Sequence, residues 1–327
     1  MQLSQSFPVV ILSACSVVAS VNPVTVFTLP GPVKPSSWFE NLVVRPNGRI
    51  LATRGDAPEI WQINPSTGAG EMLVSLPPST GALNLTGISR VHMGDGDETY
   101  VFGSSHIPAP LQVTPGSAKV WTLKMADSGS ASVSLLASIP AAGFLNGIAE
   151  WGRNGRVLIS DTEREAVYLM DVATGSFTTP LTNLTGINGI KTVGPTHGSG
   201  YLYRADHMSL TLSRIPIDAA RATALGPAEL LANQQLIDDF SLKMDKHGGT
   251  GKAYLGTMYD NSVVEVAFGS QPSSGLGVKT PVATNLTGTG FGLCTVTVFG
   301  RGRNKDKLYA AVGQGGGSAQ IVVLDLS

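Results

Sequence analysis

Six stretches of this 327-residue chain begin the same way, with a polar or small residue at the head of an apolar run, and they recur at a nearly even interval. The leading positions are Glu40, Ser89, Asn146, Asn188, Asp239 and Gly290, separated by 49, 57, 42, 51 and 51 residues. The plan is plainest in "WFENLVVRPNGRILATR", in "FLNGIAEWGRNGRVLISD" and in "IDDFSLKMDKHGGTGKAYLGT", each an apolar strand, a tight turn and a second strand. A period near 50 residues marks a supersecondary unit that cannot bury its own faces and must stack against neighbours. The phrase Asn-Leu-Thr-Gly, at Asn84, Asn183 and Asn285, falls five residues before the second, fourth and sixth leading positions. It therefore predicts three equivalent loops ahead of inner strands in alternate units.

Each unit continues with two more strand-like runs, as in "APEIWQINPSTG" and "EAVYLMDVATG", where Asp/Asn-x-x-Thr-Gly supplies the turn before the outermost strand. With 39 glycines, 20 prolines and no long Ala/Leu/Glu/Lys run, the composition favours short strands joined by turns over helices. Four strands in each of six units predict an all-β, six-bladed β-propeller, four antiparallel strands per blade, spanning 21–327 as one domain.

Residues 1–20 stand apart. "FPVVILSACSVVAS" is an apolar run of signal-peptide length ending in the small residues Ala19 and Ser20. It predicts a cleaved signal and entry into the secretory pathway, although "MQLSQS" ahead of it has no Lys or Arg, which leaves an ordered apolar N-terminal strand as the alternative. No later segment has the ~18 apolar residues of a membrane span. Along that route Asn84, Asn183 and Asn285 are N-glycosylation acceptors. Cys15 lies within the signal, so Cys294 has no disulfide partner and reads as a small buried hydrophobe. With 22 basic and 23 acidic residues the chain has no electrostatic footprint for nucleic acid.

In a propeller the first strand of each blade lines the central channel, so the leading positions converge at one mouth. Five of them are polar. Converging Glu, Asp and Asn oxygens suit Ca²⁺ or another hard divalent cation, and carboxylates in a half-buried setting are candidates for general acid–base work. Trp38, Phe39, Phe144, Phe240 and Phe291 flank the leading positions and read either as an apolar mouth for a hydrophobic small molecule or as packing between blades. Of the histidines, His106 and His207 follow inner second strands and are placed to face the mouth, while His197 and His247 fall on loops without metal-ligand spacing. "GQGGGS" lacks the Lys-Ser/Thr of a phosphate loop, and "GRGRNKDK" reads as a solvated turn.

The phrases "FENLVVRPNG", "LNGIAEWGRNGRVLISD", "INGI" and "IDDFSLKMD", in this order and spacing, resemble the regucalcin, gluconolactonase and strictosidine-synthase-like superfamily of six-bladed propellers. The resemblance implies a divalent-cation site at Glu40, Asn188 and Asp239, with Asp238 replacing Asp239 if the register differs by one. Two departures weaken the named activities. Phe144 stands where the sugar lactonases carry an Arg beside the equivalent of Asn146, and "TGTGFGLCTVTV" offers no late-blade Glu of the strictosidine synthase kind. The "FENL.VRPNG" and "DDF" phrases are most similar to a fungal branch, some of whose members act as hetero-Diels–Alderases joining a tropolone-derived o-quinone methide to a humulene-type alkene. For that chemistry Glu40, Asp239 and Asn146 are the candidate catalytic groups, and Trp38, Phe39, Ser89, His106, Phe144, Asn188, His207, Phe240 and Phe291 the substrate-binding set; no cofactor is required. Three functions stay open: a pericyclase, a metal-dependent lactone or ester hydrolase, and a non-catalytic small-ligand binder.

Overall fold

The computed structural model describes residues 20–31, 37–94, 96, 98–108, 112–126, 129–196, 198–245, 250–269, 275–288, 292–313 and 318–327. Residues 1–19 of the expected signal, Gly290, Phe291, His197 and His247 lie outside them. Among the described residues the strands, numbered in chain order, form six four-stranded antiparallel sheets, and the named helical elements are single 3₁₀ turns at Pro78–Thr80 and Gly302–Asn304. The molecule is a six-bladed β-propeller.

The inner strands are β2 (Phe39–Val44), β6 (Asn84–Val91), β10 (Leu145–Glu150), β14 (Ile187–Thr196), β18 (Ile237–Met244) and β22 (Leu293–Phe299). In the first five blades the next three strands follow outward in chain order. The sixth blade is completed differently: β1 (Val24–Thr28) pairs antiparallel with β24 (Gln320–Asp325), Val24 opposite Val323, so the N-terminal segment supplies the outermost strand of the last blade.

Burial on both faces explains why the middle strands read as unbroken apolar runs. A strand points successive side chains to opposite faces, and in each blade both faces meet a neighbour. Val157 and Ile159 enter the core shared by blades two and three, while Leu158 between them enters the core shared by blades three and four. Six apolar clusters fill the six gaps, one for each pair of adjacent blades.

Every inner strand is broken at the same place. Opposite Thr53, Gly103, Ser160, Ala205, Gly256 and Val312 of the second strands, the inner strand carries two residues instead of one, a β-bulge. The bulged pairs are Glu40-Asn41, Thr86-Gly87, Asn146-Gly147, Asn188-Gly189, Asp238-Asp239 and Cys294-Thr295, each flanked by an apolar residue on both sides. The bulges are where neighbouring backbones come closest. A Cβ on Gly147 would lie 2.7 Å from the Ile190 amide nitrogen and 3.2 Å from the Asn188 carbonyl oxygen of the next blade. Hydroxyls stitch the same level together: Thr53 donates to the Thr86 carbonyl (2.7 Å), Ser160 to that of Asn188 (2.7 Å), and Thr295 to that of Phe39 (2.7 Å).

This register corrects several expectations. The residue in step with Glu40, Asn146 and Asn188 is Thr86 in the second blade, three positions before Ser89; Asp238 in the fifth, with Asp239 one step on; and Cys294 in the sixth. The repeated Asn-Leu-Thr-Gly phrase does not mark equivalent loops throughout. Asn183 and Asn285 do correspond: both are exposed, have positive φ (58° and 53°), and precede a buried Leu whose amide bonds back to the top turn of its own blade. Asn84 instead opens β6, is 3% exposed, and accepts the Ser105 amide at 3.0 Å through Oδ1. The second blade uses Leu-Thr-Gly-Ile as its inner-strand bulge, and the other two copies sit in the preceding loop.

Two outcomes are expected. Gly147→Ala should destabilise the fold by about 3 kcal/mol or more, because the colliding atoms are backbone and cannot rotate away; urea unfolding against wild type measures it. In protein recovered from a eukaryotic secretory host, peptide mapping after glycan removal should find modification at Asn183 and Asn285 and none at Asn84 in folded material.

Candidate functional site

At the level of the bulges the side chains of non-adjacent blades meet. Asn41 of the first blade donates through Nδ2 to Asp239 Oδ2 of the fifth at 2.8 Å, so this bond spans the channel. Lys191 of the fourth blade places Nζ 2.5 and 2.6 Å from the two oxygens of the same carboxylate, and the Phe240 amide donates to Oδ1 at 2.7 Å. Asp239, 2% exposed, is therefore fully engaged by a cation, a carboxamide and an amide. The Lys191 ammonium also reaches the Ile190 carbonyl at 3.1 Å and lies 5.4 Å from the Phe240 ring centroid. Together Asn41, Asp239 and Lys191 form a bar across the channel.

On one side of the bar, toward the ends of the inner strands, lies a chamber of about 430 Å³ whose lining includes Asn41, Val43, Ser89, Ala149, Lys191 and Ser241. Ser89 thus belongs to the far chamber. His92, at the rim of that side, holds Nδ1 2.8 Å from Glu150 Oε1, an interblade pair.

On the other side, where the inner strands begin, stands the ring of first bulge residues: Glu40, Thr86, Asn146, Asn188, Asp238 and Cys294. Trp38 Nε1 donates to Glu40 Oε2 at 2.6 Å, and the indole lies over Gly55, where a Cβ would collide with it. Asp238 is 7% exposed and accepts a hydrogen bond from the Asn188 amide. The Asn188 Oδ1 on the other side of that carboxamide is buried and has no hydrogen-bond partner among the described residues, and a buried acceptor left so is costly unless something else fills it.

Electrostatics sets the protonation of this ring. Burial pushes the Asp238 carboxyl well above its ordinary range, and the nearby Glu40 and Asp239 charges push it further. Glu40 is raised as well, by burial first and by Asp239, against the opposing pull of the Trp38 indole. Both shifts favour the protonated forms of these two carboxyls. Cys294, wholly buried beside Asp238, has its thiol pushed up to about 12 and is no nucleophile.

The structure distributes the expected binding residues unevenly. Glu40, Asn146 and Asn188 stand in the ring, with Trp38 against Glu40. Phe39 (1% exposed) and Phe240 (0%) belong instead to the apolar cores between blades. Phe144 is half-buried one residue before β10, its amide donating to Asp161 at 3.0 Å. His106 is tied to its own hairpin through Thr114 (2.7 Å) and Ser117 (3.0 Å). His207 is half-buried, with Nδ1 buried and without a hydrogen-bond partner among the described residues. Thr86, Asn41, Lys191 and the His92–Glu150 pair were not singled out from the sequence. Thr86 and Asn41 become visible once the tetrads, such as Leu85-Thr86-Gly87-Ile88, are aligned.

The oxygen set can be tested against the divalent cation that the family resemblance implies. Asp239 does not fit as a ligand, because the Lys191 ammonium already holds both of its oxygens. Glu40, Asp238 and the open Asn188 Oδ1 do fit, as an all-oxygen set of the kind hard cations take. Among the described residues no three His, Cys, Asp or Glu side chains group closely enough to hold an ion, so such a site depends on the carboxamide.

No known family profile matches the sequence, and no curated protein matches it. The fold is shared with solved structures. Regucalcin from Agrobacterium tumefaciens superposes with a TM-score of 0.60 at 14% identity, covering 94% of this chain and 96% of that one. A luciferin-regenerating enzyme gives 0.61 at 11% identity over 88% and 91%. The PQQ-bound aldose sugar dehydrogenase of Streptomyces coelicolor gives 0.59 at 11% identity over 94% and 99%. At these identities the likeness establishes the architecture, a six-bladed propeller like that of regucalcin-type proteins.

The raised carboxyls give a stability prediction. Their folded forms bind protons more tightly than the unfolded chain, so their contribution is complete below the ordinary carboxylate range and is lost as pH rises through the folded values. Asp238→Asn should therefore unfold at higher temperature than wild type at pH 8 in the presence of chelator, with the difference vanishing near pH 3.8 and below. Each kcal/mol recovered raises Tm by about 2 °C in a domain of this size. An equal Tm at pH 8 would remove the charge-repulsion account.

Proposed function

We propose that the protein is an enzyme that binds hydrophobic small molecules at the ring mouth, and that its reaction is a hetero-Diels–Alder cycloaddition of a tropolone-derived o-quinone methide with a humulene-type alkene. The observation that carries this reading is the placement of Glu40 and Asp238 in one ring, two carboxyls, one half-buried and one buried, whose surroundings favour the protonated form. A neutral carboxylic acid in a desolvated site donates a strong hydrogen bond to a developing oxyanion. On the heterodiene carbonyl that bond lowers the barrier to cycloaddition, while the pocket supplies orientation, the larger need of a reaction with no nucleophile. The same pair serves the preceding step: the protonated carboxyl delivers a proton to the leaving hydroxyl of a ring hydroxymethyl group and the ionised one takes the proton of the neighbouring ring hydroxyl, whose oxygen becomes the quinone methide carbonyl as water departs. Asn146 and Asn188 are the neutral hydrogen-bonding groups of this mouth.

A second reading has its own observation. The unpartnered Asn188 Oδ1 beside two strained carboxyls is the arrangement a divalent cation would relieve. A cation held by Glu40, Asp238 and Asn188 would supply Lewis-acid activation for opening a lactone or ester.

One experiment separates the two. Purified protein is assayed with and without chelator on a preformed o-quinone methide plus humulene, on the hydroxylated precursor plus humulene, and on a panel of lactones. The proposal expects chelator-insensitive acceleration and stereocontrol of the cycloaddition. In Glu40→Gln and Asp238→Asn, whose amides still donate hydrogen bonds, turnover of the preformed quinone methide should persist, while turnover from the precursor falls about 100-fold. Chelator-sensitive lactone hydrolysis, abolished by either substitution and without effect on the cycloaddition, would overturn it.

A further inference from the structure

We infer that the top turns of the fourth and fifth blades form an apolar lip that binds the hydrocarbon partner outside the acid ring. The lip runs through Met208 and Leu210 in one turn and Met258 and Tyr259 in the next. This inference rests on the reading of the mouth as a site for hydrophobic molecules and assigns the place of one of the two reactants.

The placement follows from backbone bonds. The turn between β15 (Ser199–Asp206) and β16 (Thr211–Asp218) is tied to the channel side by His207 N donating to the Gly186 carbonyl at 3.0 Å, two residues before Asn188. The turn between β19 (Gly251–Thr257) and β20 (Ser262–Phe268) is tied by Met258 N donating to the Leu236 carbonyl at 2.9 Å, two residues before Asp238. Gln235 N donates to the Leu210 carbonyl at 3.1 Å and links the two turns through the segment between them. The two turns are therefore anchored to the segments that lead into the ring members Asn188 and Asp238.

These turns are costly to build as they stand. Met208 is 67% exposed, Tyr259 55% and Leu210 38%, so water touches more than half of the first two and over a third of the last. Leu210 has φ 57° and Tyr259 φ 60°, the left-handed region that bulky side chains avoid. Tyr259 is also the central residue of a γ-turn, with Asp260 N donating to the Met258 carbonyl at 2.7 Å, the rarer and more strained hand of that turn. The left-handed backbone itself has a structural use, because the residue just before the third strand lends its carbonyl to the loop that enters the next blade. Glu165 and Asn261 do the same for Leu184 and Leu286. In the third blade that turn is Thr162-Glu163-Arg164-Glu165, entirely polar. At the position of Leu210 a polar residue therefore satisfies the backbone, and Asn does so with less strain than Leu; Tyr259, two residues before Asn261, has a positive φ that its counterpart Glu163 does not share. What the polar choice would lack is an apolar surface beside the ring. Strain and exposure retained together at one rim mark a binding surface.

The test uses this difference. Leu210→Asn, Tyr259→Asn and their combination with Met208→Ser are compared with wild type in thermal unfolding, in equilibrium partition of α-humulene onto the protein, and in steady-state cycloaddition with varied humulene. The lip predicts an unchanged or higher Tm, humulene binding weakened about ten-fold in the triple variant, and a matching rise in the humulene KM with kcat retained. A merely structural role would lower Tm and leave binding per folded molecule as it was, and that result would overturn the inference. So would wild-type protein that takes up no humulene, or variants that bind it as wild type does. If humulene uptake depends on these residues while no cycloaddition is detected, the lip stands and the assigned reaction falls, so the two failures are distinguishable.

Discussion

Six strands converging on one axis leave no room for ordinary ladders, and the bulge that each inner strand makes at the same level is how the crowding is resolved. It turns one residue of each pair toward the channel and brings the other against the next blade's backbone. In three blades that second residue is glycine, since only a hydrogen fits. In the others Asn41, Asp239 and Thr295 take the place and form hydrogen bonds with other blades or their own strand. The blades are packed apolar layers that could tolerate conservative repacking; the bulge level could not, because there backbone meets backbone at Gly87 and Gly147 and the remaining contacts are specific hydrogen bonds.

The chemistry of the channel follows from that geometry. Polar side chains forced together in a dry ring must find partners or change protonation. Asp239 found Lys191 and Asn41 and became part of a barrier; Asp238 and Glu40 found only neutral partners, Asn188 and Trp38, and their surroundings favour the protonated forms. The difference of one residue decides between a structural carboxylate and a reactive one. It also separates the channel into two compartments, the mouth that holds Glu40 and Asp238 and a chamber around Ser89 and Ser241 lined by apolar side chains with scattered hydroxyls and charges.

How much of this was legible in the sequence differs by level. The even recurrence of strand-turn-strand units carried the blade count and strand count, because period and turn chemistry are local properties. Register was harder. Asn-Leu-Thr-Gly is a good loop phrase at Asn183 and Asn285 and a good bulge phrase at Asn84, and a repeated string does not say which. The tetrads beginning at Phe39, Leu85, Leu145, Ile187, Ile237 and Leu293 resolve it, but only when the bulge is known to take two residues. Phe39 and Phe240 looked like mouth aromatics because a residue beside a channel position is close in sequence, whereas on a strand it points into the gap between blades. Lys191 carried no signal: one lysine in an apolar strand has nothing to distinguish it until a carboxylate from another blade is placed against it.

The pairing of β1 with β24 has a consequence in time. Val24 leaves the ribosome early and Val323 nearly three hundred residues later, an interval of roughly 15 to 60 s at ordinary rates of synthesis. Through that interval the first blade presents an uncovered face with Phe39, Leu42 and Val44, whose partners Val296, Tyr309 and Ile321 have yet to be made. The ring is therefore an assembly whose first and last parts are joined last. The half-built barrel must stay soluble with its own seam open, and the cell that makes it has to shelter that seam until the final strand arrives.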